Sequence, residues 1–118
     1  MAVRHLNVEV RLESDVAVLD LMGEINGFAE EALNTDYQQA DAKDTNTILL
    51  NFEGVDYINS TGIALIVGLL AKARASKKRL LACNLSEHYV EIFNITRLSD
   101  FMGIFPDEQS AISEISVS

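Results

Sequence analysis

The start of the chain alternates between apolar and polar residues, a pattern typical of a β-strand with one buried face. The apolar positions are Leu6, Val8, Val10 and Leu12. A turn at Ser14-Asp15 follows, and the segment from Val16 to Met22 predicts a second strand. The chain is therefore expected to open with a β-hairpin.

The next segment changes to helical spacing. Phe28, Leu33, Tyr37 and Ala40 recur among acidic and polar residues, as in an amphipathic helix. The Asn26-Gly27 pair just before them is common in hairpin turns. Because the residues that follow have helical spacing, we instead predict a helix from about Phe28 to Ala42.

Strands and helices then alternate to the end of the chain. The further predicted strands are Thr47 to Phe52, Arg79 to Cys83 and Phe101 to Phe105, with a loop through Gly54 and Asp56 after the first of them. The first further helix is predicted from about Ser60 to Ser76. The second is capped by Ser86 and carries Val90 and Phe93. The third starts at Pro106, with Ala111, Ile112 and Ile115 facing inward. The pattern predicts an α/β sandwich with a mixed, mostly parallel sheet of about five strands and about four helices.

Composition narrows the kind of protein further. A chain of 118 residues that is 48% hydrophobic and 23% charged suits one globular domain, residues 1–118. Its longest apolar stretch, 62–71, is much shorter than the roughly 20 residues of a membrane span. The N-terminus also lacks the layout of a signal peptide. We therefore expect a cytoplasmic protein without membrane insertion.

The charge of the chain argues against nucleic acid as a partner. The net charge is −9, whereas a nucleic-acid binder needs a positive face. Residues 1–58 hold three basic and twelve acidic residues, and residues 59–118 hold six of each. Five of the basic residues lie between Lys72 and Arg79. Cations favour a helix C-terminus, so we interpret this cluster as a solvated helix end, with a docking patch as the alternative.

Residues that could carry catalysis or bind a metal are scarce. His5 and His88 have no partner at metal-ligand spacing, and Cys83 lies within an apolar strand. A phosphoacceptor aspartate is also excluded, because Asn51 and Phe52 end the central strand. We predict no catalytic residues, no metal and no cofactor, and hence a protein that is not an enzyme.

The most informative segment is 56–68, where a loop leads into a long helix. Asn59 or Ser60 is suited to cap that helix. From Ile63 to Leu70 nearly every residue is apolar, more than one face against a sheet requires. Part of this surface is therefore expected to be covered by other elements or exposed for a partner.

These residues resemble a known family. The segment 59–63, Asn-Ser-Thr-Gly-Ile, is similar to the Asp-Ser-[Ser/Thr]-Gly-[Leu/Ile] loop of the STAS domain of anti-sigma factor antagonists. Further similar segments are 21–26, 48–56 and 80–85, the last followed by Val90 and Phe93. The resemblance spans nearly the whole chain, in the family's order and spacing.

The resemblance implies a bacterial, cytosolic protein that is switched by phosphorylation. The unphosphorylated form would bind an anti-sigma factor that is also a serine kinase and so release the sigma factor. The acceptor would be Ser60, with Thr61 as the alternative hydroxyl, and a PP2C-type phosphatase would reverse the modification. The implied partner surface consists of Asn26, Asn59, Ser60, Thr61, Gly62, Ile63 and Ile66.

The chain departs from the family pattern at two positions. Asn59 and Asn26 stand where the family has aspartates near the acceptor serine. Two other functions stay open, and the neutral asparagines favour the first of them. One is a STAS scaffold or accessory subunit that is not phosphorylated, in a stressosome-type assembly or a lipid-transport ATPase. The other is a module that senses a small molecule or nucleotide.

Overall fold

The computed structural model describes residues 5–117, in which strands and helices alternate. The strands are β1 (Asn7–Glu13), β2 (Val16–Ile25), β3 (Thr47–Ile58), β4 (Arg79–Cys83) and β5 (Gly103–Phe105), and the helices are α1 (Glu30–Asp41), α2 (Ser60–Ala75), α3 (Glu87–Ile95) and α4 (Glu108–Val117). Short 3-10 turns, Gly27–Ala29 and Leu98–Asp100, precede α1 and follow α3. This part of the chain confirms the predicted opening hairpin, five-stranded sheet and four α-helices.

The five strands form one mixed sheet in chain order. β1 pairs antiparallel with β2, and β2 to β5 are parallel neighbours. Parallel neighbours need a crossover connection, and helices provide it here. The strands β2, β3 and β4 therefore end at the same edge of the sheet, which we call the carboxyl edge. The opposite edge is the amino edge.

Both faces of the sheet are covered, which explains its apolar central strands. Along β2, Ala17 and Leu19 belong to the larger core, while Val16 and Val18 belong to the smaller one. The larger core is completed by α1, α2 and α3, and includes Leu33, Tyr37, Ile66, Leu69 and Phe93. On the other face, Ala111 of α4 packs with Val16, Val18, Leu49, Leu81 and Cys83.

The strand β3 is longer than the sequence pattern indicates. The predicted loop through Gly54 and Asp56 is wrong, because these residues continue β3 and pair with the end of β2. The pairing shifts register between Asp20 and Met22. A Cβ at Gly54 would lie 2.8 Å from the Met22 Cγ, so a larger residue at this irregularity would force Met22 to shift. Within a strand, glycine often marks such a bulge rather than a loop.

The other element boundaries differ by a few residues. β2 extends to Ile25, β5 begins at Gly103, and α4 begins at Glu108 instead of Pro106. The Ser110 N–H donates to the Asp107 Oδ1 at 2.7 Å, so Asp107 satisfies an N–H of the first turn of α4. Strand pairing and capping set these ends, and sequence periodicity alone does not resolve them.

A polar network attaches α4 to the hairpin on the smaller-core face. The Arg11 guanidinium donates to Asp20, with Nε to Oδ2 at 2.6 Å, and also to Glu108 of α4, with Nη1 to Oε2 at 3.0 Å. Asn51 Nδ2 donates to Asp20 Oδ1 at 2.8 Å. The hydrogen bond from Arg11, with that from Asn51, lowers the pKa of Asp20 against the effect of burial. The network thus favours the charged carboxylate in the folded state.

We expect Asp20→Asn to destabilise the domain by about 1 kcal/mol at neutral pH. The pKa of Asp20 is lower in the folded state than in the unfolded state. The ionised carboxylate therefore stabilises the fold at pH values above the unfolded pKa, and this stabilisation is lost as the pH falls through the folded pKa. Urea unfolding of the wild type and the variant should therefore give curves that converge at acid pH. Asp15→Asn, in the exposed hairpin turn, is the charge-matched control. A difference that persists at acid pH would contradict this account.

Candidate functional site

The ends of β2 and β3 lie side by side at the carboxyl edge. Ile25 and Ile58, the last residues of these strands, are paired in the ladder. The Asn59 N–H donates to the Ile25 carbonyl oxygen at 3.2 Å. Asn26 and Asn59 directly follow the two strand ends, so the fold brings together two segments that are distant in the sequence.

Asn59 is the N-cap of α2. Its backbone is extended (φ −91°, ψ −178°), and its Oδ1 accepts a hydrogen bond from the Gly62 N–H at 2.8 Å. Ser60 and Thr61 form the first turn and are exposed. The first N–H groups of a helix have no intrahelical acceptor. Those of Ser60 and Thr61 are therefore available to solvent or a ligand, at a helix end where the dipole favours negative charge.

Gly62 allows the start of α2 to approach the end of β2. A Cβ at this position would lie 2.8 Å from the Ile25 carbonyl carbon and closer still to its oxygen. Real Cβ atoms do not make such contacts with backbone, so any other residue would push the helix away. The same approach places Gly27 beside Thr61, where a Cβ on Gly27 would lie 3.7 Å from the Thr61 Cγ2.

Asn26 stabilises the second segment of the site, the turn that follows β2. Its Oδ1 accepts from the Phe28 N–H at 2.9 Å, and its carbonyl accepts from the Ala29 N–H at 2.9 Å. These bonds form the 3-10 turn Gly27–Ala29, so α1 begins only at Glu30. The α-helix therefore starts two residues after the predicted position of about Phe28. The helical spacing predicts that Phe28 and Leu33 lie on the same buried face. Leu33 is buried, whereas Phe28 is 84% exposed.

Comparison with known proteins identifies the family. A family model described as STAS domain matches residues 7–111. The chain belongs to the STAS domain family. An anti-sigma-B factor antagonist from Staphylococcus epidermidis is 28% identical to this STAS domain over 100 residues, covering 85% of this chain and 93% of the relative.

Solved structures show the same fold. An anti-sigma factor antagonist from Mycobacterium paratuberculosis gives a TM-score of 0.81 at 15% identity, over 94% of both chains. The Bacillus cell fate determinant SpoIIAA in its phosphorylated form gives 0.70 at 23% identity, over 92% of this chain and 99% of that chain. The STAS fold predicted from the sequence is confirmed.

In this STAS domain, most residues of the predicted partner surface lie at the accessible start of α2. Ser60 and Thr61 are exposed, whereas Asn26, Asn59 and Ile63 are half-buried. Gly62 and Ile66 are buried. Ile66 is 0% exposed and packs in the larger core, so the expectation that it faces a partner is wrong. Gly62 contributes to the site by allowing the start of α2 to lie close to the end of β2.

The sequence pattern does not predict the exposure of two apolar side chains near this surface. Phe28 is 84% exposed and Val67 is 46% exposed. Ser60, Ala64 and Val67 are three or four residues apart, so they share one exposed face of α2. The long apolar segment of α2 predicts that some of its apolar residues are exposed, but it does not identify them. For Phe28 the available signal was the preceding Asn-Gly pair, which favours a turn.

Charge is unevenly distributed between the two edges of the STAS sheet. The segments 22–31, 54–63 and 83–91, which end strands and begin helices at the carboxyl edge, contain no lysine or arginine. Their acidic residues are Glu24, Glu30, Glu31, Asp56, Glu87 and Glu91. The basic cluster from Lys72 to Arg79 lies at the amino edge, where α2 ends and β4 begins. Among the described residues, the segments around the candidate site thus carry acidic side chains and no lysine or arginine.

The contacts of the basic cluster fit the helix-end interpretation. Lys78 Nζ donates to the Asp41 and Lys43 carbonyl oxygens at the end of α1. Lys72 Nζ bonds Asn34 Oδ1 at 2.6 Å, and the Arg74 guanidinium lies 5.3 Å from the centre of the Phe101 ring. These side chains stabilise helix ends and surface contacts at the edge away from Ser60.

The described residues hold little other reactive chemistry. Burial raises the pKa of the Cys83 thiol to about 12, so the thiol stays protonated and unreactive at neutral pH. Residues 5–117 contain no cluster of three or more His, Cys, Asp or Glu side chains arranged to hold a metal. No helix within that range is both long and apolar enough to span a membrane.

Proposed function

We propose that this STAS domain is an anti-sigma factor antagonist switched by phosphorylation. The unphosphorylated form binds a serine-kinase anti-sigma factor and thereby releases the sigma factor. Phosphorylation of Ser60 prevents this binding, and a PP2C-type phosphatase restores it. The main support is the exposed Ser60 at the capped start of α2, where its neighbour Thr61 lies beside Gly27 of the Asn26 loop. The name of the Staphylococcus epidermidis relative and the phosphorylated form of SpoIIAA agree with this proposal.

The switch acts through local charge. A phosphate adds about −1.5 to −2 charges at neutral pH. At the start of α2 the free N–H groups and the helix dipole accommodate an anion, so the fold is not expected to change. In an interface that covers Ser60, the same dianion would be desolvated without a matching cation. Such burial costs several kcal/mol and would release the partner.

A second function is favoured by the two asparagines. The Oδ1 atoms of Asn26 and Asn59 cap the 3-10 turn and α2, so both residues serve the local structure without a carboxylate. A scaffold or accessory subunit that is never phosphorylated needs this structure and no acidic groups near Ser60. It therefore remains the alternative to the switched antagonist.

Phosphate mapping separates the two functions. The domain should be incubated with ATP and each serine-kinase anti-sigma factor of its host, and then digested for peptide mass spectrometry. We expect phosphate on Ser60, its loss in Ser60→Ala, and its removal by the host PP2C-type phosphatases. Phosphate that persists in Ser60→Ala and is lost in Thr61→Val would identify Thr61 as the acceptor. An unmodified peptide with every kinase would favour the scaffold.

A further inference from the structure

Phe28 is the most exposed of the large apolar side chains in the described part of the chain. It is 84% exposed, compared with 70% for Ile95 and 58% for Phe101. Single exposed apolar residues are common and need no explanation on their own. Phe28 differs from Ile95 and Phe101 because its neighbour Gly27 lies beside Thr61 and because hydrogen bonds hold its loop.

The loop presents Phe28 in a fixed conformation. The Phe28 N–H donates to the Asn26 Oδ1 at 2.9 Å, and the next residue, Ala29, is 3% exposed in the core. The backbone is thus held on both sides of the ring, while the ring itself remains in solvent. An aromatic side chain on a preorganised loop loses little conformational entropy when it binds.

The loop also adjoins the proposed switch. A Cβ on Gly27 would be in van der Waals contact with Thr61, 3.7 Å from its Cγ2. Phe28 directly follows Gly27, so a partner that covers Ser60 and Thr61 would lie against the loop that carries Phe28. Ala64 and Val67 extend the accessible apolar surface along α2 from Ser60.

Resting on the proposed function, we propose that Phe28 is the apolar anchor of the interface with the serine-kinase anti-sigma factor. The matching partner surface is an apolar pocket surrounded by lysine and arginine side chains. Buried aromatic anchors dominate many protein interfaces. The basic rim is inferred from the described strand ends and helix starts at the carboxyl edge, which carry acidic residues and no lysine or arginine. Opposite charges of this kind speed association and select the partner.

The test compares Phe28→Ala with Phe101→Ala in binding to the serine-kinase anti-sigma factors of the host. Phe101 is also an exposed phenylalanine but lies at the amino edge, beside Arg74. We expect Phe28→Ala to weaken binding about thirtyfold, and Phe101→Ala to bind like the wild type. Phe28→Tyr should retain binding, and all three variants should melt near the wild-type temperature. Association should slow markedly between about 50 and 500 mM salt, because ions screen the charges.

The outcomes separate this inference from the function on which it rests. If the wild type binds, Ser60→Asp does not, and Phe28→Ala binds like the wild type, then Phe28 is not the anchor and the proposed function stands. If Phe28→Ala changes only self-association, the ring contacts a second copy and the inference is wrong. If the wild type binds none of the kinases, the proposed function fails and this inference fails with it.

Discussion

Ser60→Asp is expected to weaken binding to the anti-sigma factor about a hundredfold, a loss of about 2.8 kcal/mol. The aspartate introduces one negative charge at a position that the interface would cover, and burying that charge without a partner is costly. In the free domain the same charge lies at the start of α2, where the dipole tolerates it. The melting temperature should therefore stay near that of the wild type.

The measurement is isothermal titration calorimetry of the variant with the anti-sigma factor, together with thermal unfolding of the variant alone. Ser60→Asn has nearly the same shape as Ser60→Asp without the charge, and it should bind within a few-fold of the wild type. Ser60→Ala should bind constitutively and resist the kinase. Equal affinities of the aspartate and asparagine variants would show that charge at Ser60 does not control binding.

The second large effect is expected for Gly62→Ala, which should destabilise the domain by about 3 kcal/mol. The new Cβ would overlap the Ile25 carbonyl group, which is backbone at the end of a buried strand and has little room to move. The start of α2 must then shift away from β2. That shift would also separate Ser60 and Thr61 from the Asn26 loop, so partner binding should weaken as well.

Gly68→Ala provides a matched control within the same helix. A Cβ at Gly68 would have no atom within 4 Å, and Gly68 is exposed. Alanine has a higher helix propensity than glycine, so this variant should be more stable by up to about 1 kcal/mol. Urea unfolding of both variants should thus give shifts of opposite sign. If Gly62→Ala were as stable as Gly68→Ala, the contact between α2 and β2 would not be the constraint described above.

Much of the fold was predictable because local patterns agreed with the tertiary structure. The period of two from Leu6 to Leu12 and the apolar segment from Arg79 to Cys83 correspond to β1 and β4. Ser86 caps α3 as predicted, with its Oγ accepting from the Tyr89 N–H at 3.4 Å. Such signals depend on neighbours in the sequence, so they can be recognised before the chain is folded.

The incorrect predictions share a different cause. The Glu53-Gly54-Val55-Asp56 segment contains turn-forming residues, yet it is a strand because β2 provides the pairing partner. The family resemblance implied that Ile66 belongs to the partner surface. The orientation of α2 against the sheet buries it instead. The exposure of Phe28 likewise depends on the hydrogen bonds of Asn26, which form a 3-10 turn and delay the start of α1 until Glu30.

The sequence by itself determined the alternation of strands and helices, the cap and hydroxyl residues at the start of α2, and the excess of acidic residues. These are properties of residue type and local spacing. Only the tertiary structure decided that Gly27 of the Asn26 loop lies beside Thr61, and that Phe28, the next residue, is exposed. It also decided that acidic residues gather at that edge. Strand pairing and helix packing join residues that are far apart in the chain, and no local pattern encodes those contacts.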